Sequence, residues 1–401
     1  MTRIVIIGAG IGGLATSLAL AKRGIDALVL EQAPHIKTVG AGIQLSPNAT
    51  RILHWFGLED DMAAWGVEPE KLVIRSHEGE TLVEAPLGRD ARETFGFPYY
   101  HAHRADLLAG LLNRQPPGRV RLDAQVVGME EGRLTLADGK TVEADIVIGA
   151  DGIHSVVCQH LFGVGHARYS GSVAWRALVP AERLADLDIP RESGVWWGPD
   201  ACMVRYWVAA GRLMNWIAIA RTDRQTPESW SSLGRVEDAA DAMAPFPSTV
   251  TRMVERTETV HEWALFDREA LSAWTRGPAT LLGDAAHAMM PYHAQGAAMS
   301  LEDAWVLAGC LARDASEVGL ARYELLRRDR ANRVQAWSRA IERHCLLADP
   351  EEVAARNAKL AKDRMAYRGG FPPGQIWLYG YDAGVALSEE ATKPAFEPRS
   401  D

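Results

Sequence analysis

Two groups of residues in this 401-residue chain have types and spacings suited to chemistry. The first is a glycine run, Gly8-Ala-Gly10-Ile-Gly12-Gly13, directly after the β-branched stretch Arg3 to Ile7. It fits G-x-G-x-x-G between a strand and a helix, the pattern that cradles a dinucleotide pyrophosphate. Gly8 permits the tight turn, Gly10 omits the side chain that would block the pyrophosphate, and Gly13 lets helix and strand pack closely. The helix expected over Leu14 to Arg23 turns free N–H groups and its positive dipole end toward the phosphates. Glu31 follows a second strand, Asp26 to Leu30, where an acid accepts hydrogen bonds from ribose hydroxyls. This motif alone does not separate FAD from NAD.

The second group is polar residues in aromatic or apolar company. From about Arg168 to Leu271 the pattern turns β-rich. Ser172 to Val179 reads as a strand, and Ala201 to Val208 with Arg212 to Ala220 as a hairpin around Ala210-Gly211. Tryptophans gather here (Trp175, Trp196, Trp197, Trp207, Trp216 and Trp230), most of them read as core. Strand alternation puts Met203, Arg205 and Trp207 on one face and Val204, Tyr206 and Val208 on the other. Arg205 either holds a substrate carboxylate bidentately or stands on a solvated face. Tyr206, Tyr292 and His293 are alternatives for hydrogen-bonding a substrate. Gln44, in the segment 40–48, is a further pocket candidate. His101 and His103 form H-x-H, but no third ligand is evident and no metal site is expected.

These residues need a frame, and two more motifs supply it. Arg133 to Leu136 and Thr141 to Glu143 flank Asp138-Gly139, a hairpin turn. Asp145 to Gly149 then runs into Ala150-Asp151-Gly152-Ile-His154-Ser155. Later, Ala279 to Leu282 enters Gly283-Asp284-Ala-Ala-His287, followed by Pro291-Tyr-His-Ala-Gln295-Gly296-Ala297-Ala-Met-Ser300-Leu-Glu-Asp303. Ser300 and Asp303 read as an S-x-x-D capping box opening an apolar helix.

With these three motifs in this order, nearly the whole chain resembles the class A flavoprotein monooxygenases, which share the 4-hydroxybenzoate hydroxylase fold. Within them it is most similar to the salicylate, 3-hydroxybenzoate and 6-hydroxynicotinate hydroxylases. The resemblance implies that FAD is the dinucleotide. Asp284 would hydrogen-bond the ribityl chain, Asp151-Gly152 would lie near the pyrophosphate and the nicotinamide's route, and Arg104 would contact the cofactor. Gln295, Gly296 and Ala297 would approach the isoalloxazine, with Gln32, Gly42, Val126, Gly283, Pro291 and Ala298 also in contact. The same loop carries Tyr292 and His293. Two departures stand out: Cys158 replaces the family's usual arginine, and Ala288 follows His287 where proline is frequent.

The expected fold is α/β: a Rossmann-like FAD-binding domain with an inserted β-sheet substrate domain and a C-terminal helical segment. The FAD domain is expected to be discontinuous, over 1–75, 98–167 and 272–345, with the substrate sheet over 76–97 and 168–271. A C-terminal part, 346–401, packs on the FAD domain. Arg322 to Arg343 reads as a long charged helix, and Gly369 to Gly374 excludes its continuation. Ile376 to Asp382 resembles the W-x-Y-G-Y-D tail of the salicylate hydroxylase-like members and reads as a packing strap, and 389–401 as loose.

Composition limits the partners. A net charge of -9 disfavours nucleic acid. Four scattered cysteines form no C-x-x-C, which excludes a disulfide reductase and suggests a reduced, cytoplasmic setting. The apolar run Ile4 to Ala21 is broken by glycines, unlike a signal peptide, and no stretch suits a membrane span. No second G-x-G-x-x-G is present. The resemblance implies that NAD(P)H reduces FAD and O2 adds to give a flavin C(4a)-hydroperoxide. That species oxygenates an electron-rich aromatic acid or N-heterocycle bearing a hydroxyl or amino group. The rival readings are another FAD oxidoreductase or a non-catalytic FAD-binding protein. A monomer or homodimer is expected.

Overall fold

Ile4–Ile7 forms the centre of a six-stranded sheet because every one of its side chains is apolar and buried, as a strand covered on both faces requires. Ile146–Gly149 and Ala27–Leu30 pair with it in parallel on either side. Ala279–Leu281 and Thr275–Arg276 extend one edge and Val120–Arg121 the other. The computed structural model describes all residues except 1, 37–40, 131, 164–166, 223–231, 367–369 and 389–401. Gly40, Trp230, Gly369 and the tail expected to be loose therefore lie outside the described residues.

The second large sheet has seven strands, in the order His261–Asp267, Arg168–Pro180, Leu213–Arg221, Ala201–Val208, Ser193–Trp197, Lys71–Ser76 and Thr81–Pro86. The expected hairpin of Ala201–Val208 and Leu213–Arg221 is formed, as is the one around Asp138-Gly139. The boundary expected after residue 75 is corrected. Lys71–Ser76 pairs in parallel with Ser193–Trp197, so the sheet begins at Lys71.

The two faces of this sheet differ. One buries Trp175, Trp196, Met203, Met214 and Trp216 with Met243, Phe246, Val250 and Met253, side chains of Val236–Met243, Ser248–Glu255 and the turn between them. The other carries Ala174, Trp197, Cys202 and Ile219 and packs with Met290, Cys345 and Leu346 of the dinucleotide lobe. A short ribbon, Gly42–Leu45 with Tyr100–His103, lies between the lobes. Gly42 fits there because it is glycine: a Cβ would lie 2.5 Å from Asn215 Cγ and 2.6 Å from Tyr206 Cε2.

Gly13 is equally constrained, since a Cβ there would lie 1.9 Å from the Gly8 carbonyl oxygen. Gly13→Ala is expected to cost about 1–3 kcal/mol or more and to weaken FAD retention. Thermal unfolding with and without added FAD reads both, and an unchanged Tm with full flavin content would contradict this account.

Candidate active site

The glycine loop joins Ile4–Ile7 to the helix Ile11–Ala21. Gly8 has φ +103° and packs on the Ala150 carbonyl, which brings the Asp151-Gly152 turn beside it. A Cβ on Gly10 would meet nothing within 4 Å, so the space over this residue is open. Glu31 accepts hydrogen bonds from the Ala9 N–H (2.7 Å) and the Ala33 N–H (2.9 Å) and braces the loop. Gln32 beside it is exposed, and Val126 is buried at the start of a three-stranded sheet. Asp151 caps the helix Val156–Phe162: its oxygens accept from Ser155 Oγ (2.6 Å) and the Val156 N–H (2.8 Å). Cys158 is buried and accepts a hydrogen bond from Arg268 at 3.3 Å, so a cation from the Asp267–Arg268 segment stands beside the position where the family's arginine is missing.

Asp284 follows Gly283 at the end of the strand Ala279–Leu281. It is solvent-accessible yet enclosed by protein, as a residue in the wall of a deep cleft is. Burial raises its pKa, and His287 and Arg104 pull it down. Arg104, at the start of Arg104–Asn113, is close enough for Asp284 to offset the lowering that burial imposes on its own pKa. The open space over Gly10 and this neighbouring acid and base fit FAD, with its pyrophosphate at the glycine loop and its ribityl chain at Asp284.

The loop over Pro291, Tyr292, His293, Ala294 and Gln295 leads into the helix Gly296–Arg313. The expected capping box is not formed. The helix starts four residues before Ser300, whose hydroxyl donates back to the Gly296 carbonyl at 2.9 Å. Free N–H groups of the first turn, at Gly296, Ala297 and Ala298, thus lie at the loop itself, where a helix dipole stabilises negative charge. The Gln295 side chain points inward: Nε2 donates to Ser46 Oγ (2.9 Å) and Oε1 accepts from Asn48 (3.1 Å).

Asp303 instead belongs to a buried ionic cluster. It accepts from Arg327 Nε (2.8 Å), the Gly283 N–H (3.1 Å) and His287 Nε2 (2.6 Å). Glu302 accepts from Arg330 (2.8 and 2.9 Å) and Asn48 (2.7 Å) and pairs with Arg327 at 2.6 Å. Burial alone would raise both carboxyls, but Arg330 and Arg327 outweigh it at Glu302, and His287 and Arg327 at Asp303, so both pKa values are lowered.

Of the five candidate substrate residues, Tyr206 and Gln44 come together. Tyr206 is fully buried against His101 (ring centroids 4.4 Å apart). Its pKa is raised by burial and partly restored by a hydrogen bond from Gln44. Gln44 also accepts from Tyr99 Oη at 2.6 Å. His293 is half-buried on the loop, and burial lowers its pKa to about 4, leaving the imidazole neutral at physiological pH. Tyr292 turns into the seam between the lobes, near Cys202, Cys345 and Glu342; burial raises its pKa. Arg205 is the correction. It lies on the helix-covered face, hydrogen-bonded to the Pro190 carbonyl (2.9 Å) and paired with Glu192 (3.1 Å), so its guanidinium is turned away from the cleft.

Three residues with a claim on the site were missed. Arg176, stacked over Trp263 at 5.0 Å, shares the cleft side of the sheet with Tyr206; burial, with Arg104 nearby, lowers its pKa to about 10. Alternation opposite Trp175 was the available signal. Asn215 accepts from the Gly42 N–H at 2.7 Å while its Nδ2 is buried without a partner among the described residues. His101 is neutral, its pKa lowered to about 3 by burial and Arg205, and its Nε2 has no partner among the described residues. Asn215 lies in no motif, and His101 stands in the H-x-H pair, which reads only as a metal pattern.

A family profile described as "FAD binding domain" matches residues 1–338. The chain belongs to that family, and it is an FAD-dependent aromatic monooxygenase. A 3-amino-4-hydroxybenzoate 2-monooxygenase of Streptomyces platensis is 38% identical over 390 residues, covering 95% of this chain and 96% of the relative. A 3-hydroxybenzoate 6-hydroxylase of Aquipseudomonas alcaligenes is 35% identical, covering 94% and 97%. Among solved structures, a salicylate hydroxylase substrate complex superposes with a TM-score of 0.80 at 27% identity, over 99% of each chain. No helix among the described residues is long and apolar enough to cross a membrane.

Removing one partner of the buried cluster leaves a charge in the interior. Arg327→Leu is expected to cost about 3–5 kcal/mol, read by denaturant unfolding; a loss below about 1 kcal/mol would contradict the account. The lowered carboxyl pKa values give the pH sign. Their stabilisation is complete above the ordinary values of 4.5 and 3.8 and is lost as pH falls through the lower folded values. Wild-type unfolding free energy should therefore drop below about pH 4.5, and one that stays flat to pH 2 would contradict it.

Proposed function

We propose that this enzyme hydroxylates a hydroxylated benzoate, with an amino-substituted ring such as 3-amino-4-hydroxybenzoate favoured and 3-hydroxybenzoate, salicylate or 6-hydroxynicotinate as the neighbouring chemistries. The observation that carries the reading is the cleft side of the seven-stranded sheet. Around an apolar floor that includes Val204 and Ile217 it combines a tyrosine hydroxyl (Tyr206), a cation (Arg176) and, from the facing loop, a neutral imidazole (His293). The substrate class acted on by the Streptomyces platensis relative supports the ring named.

Bound FAD, held by the glycine loop, Arg104 and Asp284, would supply the capacity to take reducing equivalents from NAD(P)H and activate O2. The protein's own part is to bind, orient and adjust charge. The ring lies on Val204 and Ile217, which exclude water. Arg176, with Arg104 behind it, makes this side of the cleft positive and favours a carboxylate. His293 Nδ1 or Nε2, unprotonated because of its burial, accepts the phenolic proton. Tyr206, with the Gln44 amide donating to it, turns its own O–H toward the resulting phenolate and stabilises it. Phenolate formation makes the carbon ortho to the oxygen more electron-rich. The four scattered free thiols support a reduced, cytoplasmic setting, and the family resemblance supports a monomer or homodimer.

His293→Ala should lower kcat by about 10²–10⁴-fold while leaving FAD bound. NADH and NADPH consumption is followed across the substituted benzoates and hydroxynicotinate, with products read by mass. One compound should accelerate oxidation and gain an oxygen atom. An unaltered kcat in the variant would remove His293 from the mechanism, and a panel in which no compound gains oxygen would overturn the substrate class.

A further inference from the structure

We infer that Trp337 and Trp377 form an aromatic wedge that positions the His293 imidazole, which makes the C-terminal segment part of the active-site machinery. The proposal rests on the reading of His293 given above.

The long helix Glu317–Cys345 carries Trp337. Its ring lies 5.8 Å from the His293 ring at 40° and meets Trp377 at 5.2 Å and 73°. Trp377 comes from the separate C-terminal helix Pro373–Tyr379. The pair is braced from several sides. Arg333 stacks over both indoles, at 5.2 and 4.5 Å. Arg330 lies over Trp377 at 4.5 Å and donates to the Leu378 carbonyl at 2.9 Å. Gly374 sits where a Cβ would be 3.4 Å from Trp337. The same long helix grips the root of the loop, because Gln335 Nε2 donates to the Ala288 carbonyl at 2.7 Å. Two residues of one helix, Gln335 and Trp337, thus fix the segment that carries His293 at two points. The strap expected from the sequence packs on the FAD lobe, and through Trp377 it also meets Trp337, the neighbour of His293.

The wedge has an electrostatic consequence. Packed against Trp337, the imidazole loses water on one side, and this desolvation outweighs the attraction an indole face offers a cation, so the protonated ring is disfavoured. Burial is the cause that holds His293 near 4 rather than 6.5. Of the charged groups around the wedge, Arg330 pairs with Glu302 and Asp382 with Arg51 at 3.1 Å, while Arg333 lies on the indoles themselves, a cation beside the wedge that also disfavours a second positive charge on the imidazole. Tyr292 of the loop and Glu342 of the long helix face the seam with Cys345. Thinning the wedge admits water, raises the His293 pKa toward its ordinary value, and keeps the ring protonated, unable to accept, to higher pH.

The test uses the FAD-loaded full chain with Trp337→Leu, Trp377→Leu, the conservative Trp337→Phe, and His293→Ala. The His293 midpoint is read by NMR of ring-labelled histidine in the resting protein, assigned by its disappearance in His293→Ala. The pH dependence of kcat/KM is measured alongside. Both leucine variants should raise the midpoint by about one unit or more and bring a new acid limb into the profile, with flavin content unchanged. Trp337→Phe should restore most of the wild-type behaviour. If Trp337→Leu fails to fold, Trp377→Leu carries the test, since that indole is only half-buried. A midpoint and acid limb unmoved by the leucine substitutions, beside an impaired His293→Ala, would overturn the wedge alone. A His293→Ala enzyme identical to wild type would overturn the reading of His293 beneath it.

Discussion

Four charges buried below the flavin cleft set the conditions for the rest of the molecule. Glu302 and Asp303 sit side by side on Gly296–Arg313 at 0% exposure, held by Arg327 and Arg330. Buried ions are tolerated only when their partners are fixed in place, and fixing these partners fixes the site. Through Asn48 and Gln295, Glu302 ties the segment after Gln44 to the loop after His293. Through the Gly283 N–H and His287, Asp303 holds the turn that presents Asp284. Arg330 reaches on to the C-terminal helix. Two consecutive carboxylates therefore register the Gly283-Asp284 turn, the segment after Gln44, the loop after His293 and the C-terminal helix against one another.

The substrate sheet adds a second constraint through its two unlike faces. The helix-covered face consumes most of the tryptophans and Arg205. The cleft face is left with Tyr206, Arg176, Asn215, Trp197, Trp263 and small or aliphatic side chains. Gly42 allows the ribbon to press on Asn215 and Tyr206 closely enough for the Gly42 N–H to bond Asn215. One sheet thus serves as core on one side and packs against the dinucleotide lobe on the other.

Features legible in the sequence were those decided locally. The glycine loop, the Asp138-Gly139 hairpin and the Ala201–Val208 hairpin follow from neighbouring residues and strand period, and family likeness carried the cofactor. What was not legible depends on distant partners. Alternation separated Arg205 from Tyr206 without telling which face the Val236–Met243 and Ser248–Glu255 helices would cover. Lys71–Ser76 joined the substrate sheet through a parallel pairing with Ser193–Trp197, well over a hundred residues away. Ser300 and Asp303 had the spacing of a cap, yet Gly296 starts the helix earlier, and Asp303 is claimed by Arg327 from the next helix. The wedge on His293 needs two helices whose contact no local pattern announces.

The account's central claim is that substrate binds on the cleft face of the sheet, between Tyr206 and the His293 loop. A crystal structure of the FAD-loaded enzyme with a bound hydroxylated aminobenzoate tests it most directly. The account predicts the ring on Val204 and Ile217, with its hydroxyl in hydrogen-bond reach of Tyr206 or His293 and its carboxylate toward Arg176. A ring seated elsewhere, or a carboxylate held by Arg205 after displacement of Glu192, would contradict it.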